Sequence, residues 1–139
     1  MAEFAISKIK SFNKVSILDI GCGKGYLSFD IANRTKSCIR WTLVDGKESN
    51  IDFVKNEAKN IQGFNLDVCQ SLWIDHKNYG SVVPAREDET HRIMVVGIHQ
   101  CGDLSSLSIK EFCENPNLTD LAIVGCCYNC LSERIDLSV

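Results

Sequence analysis

The sequence predicts an α/β domain: a mostly parallel sheet flanked by helices. Three observations lead there. Short apolar runs such as VSILDI (15–20) and RIMVVGI (92–98) suit strands buried on both faces. They alternate with stretches whose apolar residues recur at helical spacing. A glycine-rich turn joins the first such strand to the helix after it.

The elements follow in order. Residues 1–14 set Phe4, Ile6, Ile9 and Phe12 at near-helical spacing, with Lys8 and Lys10 between them. VSILDI (15–20) is the first strand, and GYLSFDIANRT (25–35) is a helix with Leu27, Ile31 and Ala32 on one side. IRWTLVD (39–45) is a second strand ending on an acid. SNIDFVKNEAKNI (49–61) is a helix with Ile51, Phe53, Val54 and Ala58 on its apolar side, and GFNLDV (63–68) is a short third strand. Residues 69–91 form a partly irregular insertion, whose segment VVPAREDETH reads as a solvated surface loop. RIMVVGI (92–98) is a fourth strand, LSSLSIKEFCENP (104–116) a helix stopped by Pro116, and DLAIVGCCY (120–128) a fifth strand. Right-handed crossovers link parallel strands in such a sheet. A full doubly wound sheet has more strands, so the pattern reads as one domain over 1–139, truncated after the fifth strand.

Composition narrows the function. The 139 residues carry 45% hydrophobic and 24% charged side chains, those of an ordinary globular domain. No apolar run approaches the roughly 20 residues that span a bilayer, and the start lacks the long apolar segment of a secretory signal. A net charge of −3 gives no overall pull toward nucleic acid or an anionic membrane. The eight cysteines sit in a periodic α/β pattern with no signal, so they read as reduced packing thiols in the cytoplasm or nucleus.

ILDIGCGKGYLS (17–28) carries the clearest chemistry. Glycine lets a backbone turn with positive φ and approach a ligand closely. A dinucleotide loop spaces its glycines G-x-G-x-x-G. Here Gly21, Gly23 and Gly25 alternate, Tyr26 stands where that loop wants glycine, and Asp19 precedes the turn. Asp45 ends the next strand, where a carboxylate accepts hydrogen bonds from ribose hydroxyls. The loop resembles the D-x-G-x-G-x-G loop of class I S-adenosylmethionine-dependent methyltransferases, which have a Rossmann-like fold. The resemblance implies that Asp19, Gly21, Gly23, Gly25, Tyr26 and Asp45 bind S-adenosylmethionine. It also implies that Asp67 and Val68, taken to follow the third strand, meet its adenine.

Two further segments, GIHQCGDL (97–104) and GCCYNC (125–130), follow the fourth and fifth strands. With DIGCGKGYLS they resemble the methyltransferase-like protein 25 family, and more distantly the tRNA methyltransferase 13 family. That branch carries paired histidines where Tyr128 and Asn129 stand here. The resemblance implies a methyltransferase acting on RNA or protein, its substrate site completed by a partner chain or further segments. The alternative is a non-catalytic binding or interaction module on the same fold. His99 is the candidate base, or a contact to the methionine end of the cofactor. Asp103 orients His99 or caps the helix at Leu104, and Tyr128 stacks on a planar target or lines the methyl channel. His99, Cys101, Cys126, Cys127 and Cys130 offer a zinc-type donor set. Adjacent Cys126 and Cys127 on a strand point to opposite faces, however, so packing thiols and no metal site are expected.

Overall fold

A computed structural model describes residues 1–35 and 39–132. Cys38, expected among the packing thiols, lies outside the described residues.

Five strands form one sheet: β1 (Lys14–Ile20), β2 (Ile39–Asp45), β3 (Asn65–Ser71), β4 (His91–Cys101) and β5 (Asp120–Cys126). Their order is β3-β2-β1-β4-β5, and every pairing is parallel. The order reverses between β1 and β4, and ligands of such sheets bind beyond the carboxyl ends of the strands at that point.

Helices cover both faces. β1 runs through the centre and alternates its side chains between two cores. Val15 and Ile17 join Trp41, Met94 and residues of α1 (Ala2–Ile9), α2 (Tyr26–Thr35) and α3 (Glu48–Ala58). Leu18 and Ile20 join Ile93, Val95 and the apolar side of α4 (Leu104–Glu114) on the other face. The buried β1 and the Val- and Ile-rich β4 are what a doubly covered parallel sheet requires.

Three strand ends differ from the sequence reading. β3 runs to Ser71, three residues past the expected end, because its register with β2 slips: Trp41 faces Leu66 and Thr42 faces Val68. Asp67 is the extra, bulged residue between them. β4 continues to Cys101 by a second irregularity, in which Ile98 faces Val124 and Gln100 faces Gly125, leaving His99 unpaired. β5 stops at Cys126, because Cys127 turns into the left-handed region (φ 53°).

The 69–91 stretch is less solvated than its composition suggests. A 3-10 turn at Tyr79–Val82 buries both of those side chains in the core beneath α4, and the Tyr79 hydroxyl lies 2.9 Å from Ser108 Oγ. The acidic tip beyond it is exposed, yet it is pinned. Glu87 pairs with Lys14 and Arg40, and Asp88 with Lys14, at the amino ends of β1 and β2. That tip stands at the opposite end of the sheet from the site below.

Candidate functional site

The glycine loop leaves β1 at Ile20 and is at once fastened to β2: the amides of Gly21 and Cys22 donate to the Val44 carbonyl at 2.8 and 3.1 Å. Gly21, Gly23 and Gly25 all adopt positive φ, which side chains with a Cβ resist. At Gly25 space forbids a side chain as well, since a Cβ would stand 3.1 Å from Val54 and 3.2 Å from Phe29. Gly23 has open space within 4 Å of where its Cβ would be, and its amide donates to Asp45 Oδ2 at 2.9 Å. Asp45 Oδ1 accepts from the Lys47 amide and from Asn50 Nδ2, both at 2.9 Å. The carboxylate that ends β2 therefore holds the crest of the loop.

Asp19 lies below the loop, buried, and Ser28 Oγ donates to it at 2.6 Å. Burial pushes its carboxyl up to about 7, and the charge of Asp45 adds to the effect. Asp19 thus buttresses α2 against β1. Tyr26 opens α2 with an exposed ring, edge-on to Phe53.

Asp67 and Val68 do not reach the end of their strand. The residue paired with Asp45 is Ser71, four positions on, and Asp67 is an exposed bulge. The side chain that packs on Gly46, the residue after Asp45, is Trp73. It is 79% exposed and packs so closely on Gly46 that a Cβ there would lie 2.4 Å from its ring. Sequence reasoning missed it; the signal was one tryptophan in the polar stretch after the third strand.

The ends of β4 and β5 complete the edge. Gln100 is 1% exposed; its Nε2 donates to the Ile20 carbonyl at 3.3 Å, tying the β4 end to the start of the glycine loop. Its Oε1 is buried with no hydrogen-bond partner among the described residues. His99 has φ 62° and is exposed. Asp103 makes neither expected contact: it gives α4 no side-chain cap, and Oδ1 instead accepts from the Ser132 amide at 2.7 Å. Its own φ/ψ are helical (−68°, −12°), whereas a capping side chain works from an extended residue. Tyr128 is 71% exposed on the turn after β5.

The cysteines do not follow strand alternation. Cys127 leaves the strand, so its Sγ comes back to 3.4 Å from Cys126 Sγ. Cys101 is the register partner of Cys126 across β4 and β5, and the three sulfurs lie within 4.8 Å of one another. The neighbouring His99 ring, and then the Cys127 thiol, hold the Cys126 thiol below its ordinary range. Cys130 is exposed and stands outside this group.

Comparison with known proteins decides the family. A family model described as a methyltransferase domain matches residues 1–134. The chain belongs to this methyltransferase-domain family. A probable methyltransferase-like protein 25 of Homo sapiens is 26% identical over 126 residues, covering 91% of this chain and 19% of the human protein. A probable (S)-tetrahydroprotoberberine N-methyltransferase 2 of Papaver bracteatum is 31% identical over 97 residues, covering 69% of this chain and 24% of that protein. The methyltransferase domain thus spans a quarter or less of these relatives. Among solved structures, the 23S rRNA methyltransferase ErmE superposes with a TM-score of 0.57 at 16% identity, over 88% of this chain and 45% of that one. An rRNA methylase from Streptococcus thermophilus gives 0.55 at 11% identity, over 96% and 75%. At such identities these likenesses show the methyltransferase fold alone. Among the described residues, no helix is long and apolar enough to cross a membrane.

Proposed function

We propose that this domain binds S-adenosylmethionine over the glycine loop and transfers its methyl group to a macromolecule, RNA or protein, in the cytoplasm or nucleus. The observation that carries the reading is the clamp between Gly23 and Asp45. A carboxylate held there keeps acceptor capacity for ribose hydroxyls. The residues present fit the cofactor in two further respects. The space beside Gly23 admits a ligand against bare backbone, and the orphaned Gln100 Oε1 is an acceptor suited to an ammonium group.

When bound, the cofactor supplies a methyl group activated on a sulfonium. The chain's own residues hold it and orient the acceptor. Asp45 receives the ribose, the loop backbone lies along the amino-acid end, and Trp73 shields the rim beside Gly46. His99 stands exposed to take a proton from the acceptor. Tyr128 and Ile98 offer open apolar surface beside it, which suits a large acceptor better than an enclosed small molecule. A partner chain or further segments complete the acceptor site. One observation favours a binding module instead: Asp103 is engaged by Ser132, so it does not orient His99.

Calorimetry with S-adenosylmethionine and its demethylated product tests the first step. Micromolar binding of both is expected, and no binding at millimolar ligand rejects the reading. Radiolabelled methyl transfer to RNA and protein fractions then separates enzyme from module.

A further inference from the structure

We infer that Cys101, Cys126 and Cys127 bind one zinc ion as three thiolates, with the fourth position left to water or an incoming ligand. Zinc takes sulfur at about 2.3 Å in a tetrahedron, which sets the sulfurs roughly 3.8 Å apart. Here Cys126 and Cys127 are separated by 3.4 Å, and all three sulfurs fall within 4.8 Å of one another. Three protein ligands with a fourth position kept open are a known zinc arrangement.

The backbone is arranged for this convergence. Cys101 and Cys126 are brought side by side by the parallel register of β4 and β5. Cys127 joins them only because it adopts φ 53°; continued as a strand it would face the other side of the sheet. His99 also has positive φ, at 62°. These are the described non-glycine residues with that conformation, and both stand at the thiol cluster. Such backbone strain collects at ligand sites. The turn that carries Cys127 is docked tightly: a Cβ on Gly102 would lie 2.8 Å from the Cys130 carbonyl, so the two strand ends cannot drift apart freely. Zinc binds cysteine as thiolate, so affinity falls as pH is lowered.

The site joins the ends of β4 and β5, whether or not the glycine loop binds its cofactor. The test uses reduced, metal-free chain under anaerobic conditions, titrated with cobalt(II) and then zinc. One equivalent of cobalt is expected to give the strong visible bands of a tetrahedral thiolate site, and one equivalent of zinc to remove them. Cys101→Ser, Cys126→Ser and Cys127→Ser each lower zinc affinity by more than the roughly 100-fold that losing an outer-shell partner costs. Cys130→Ser and Cys113→Ser leave it unchanged. Circular dichroism confirms that each variant remains folded. Folded wild-type chain without tetrahedral cobalt bands overturns the assignment on its own, as do bands that persist in a Cys126→Ser/Cys127→Ser double variant.

Discussion

The Gly23 amide donates to Asp45 Oδ2 at 2.9 Å, joining a loop to a strand end 22 residues further along the chain. One carboxylate both shapes the loop and faces its open side. Asp45→Ala removes acceptors from the Gly23 and Lys47 amides and from Asn50, at a cost of about 1–3 kcal/mol in stability. It also lowers S-adenosylmethionine affinity at least roughly 10-fold. Thermal melting and calorimetry read the two effects separately, and undiminished affinity would remove Asp45 from the ribose.

Gly25→Ala meets two obstacles. Its φ of +73° costs an L-residue about 1–2 kcal/mol, and Val54 and Phe29 crowd the new methyl. A loss of about 2–3 kcal/mol in urea unfolding is expected. A neutral result would mean the loop has room to reshape.

Asp19 gives a pH signature. Its folded carboxyl titrates at about 7, against an ordinary value of 3.8, because it is buried. Between those values the folded chain holds a proton that the unfolded chain has released, so the stability Asp19 contributes falls as pH rises through that window. Asn does not titrate. The melting temperature of Asp19→Asn should therefore climb relative to wild type from about pH 4 to about pH 7. A difference that does not change with pH would put the carboxyl in water.

Tyr79 distinguishes an anchored segment from a solvated insertion. Tyr79→Ala should cost about 3–5 kcal/mol, as for a buried aromatic, and Tyr79→Phe about 1 kcal/mol through the lost Ser108 contact. Chemical denaturation measures both, and a neutral Tyr79→Ala would return the segment to the surface.

The elements were legible where one period dominated. VSILDI and the IMVVG (93–97) of β4 are buried on both faces, and their apolar runs said so. The glycine spacing likewise located the loop, because positive φ leaves a mark in residue type. Irregular backbone left none. Asp67 and His99 are the extra residues of two register slips, and nothing in their neighbours' hydropathy marks a slip. Cys127 adopts the left-handed conformation without being glycine or asparagine, so alternation sent its sulfur to the wrong face. Tyr79 was hidden by the polar residues around it, since one buried ring makes no period.

The bulge at Asp67 has a role of its own. β3 is an outer strand of the sheet among the described residues, and an outer strand offers unpaired amides and carbonyls to any extended chain that drifts past. A bulge bearing an exposed carboxylate spoils both the hydrogen-bond spacing and the charge match for such an addition. An extended chain added along this flank of the domain would meet a broken hydrogen-bond repeat and an exposed negative charge.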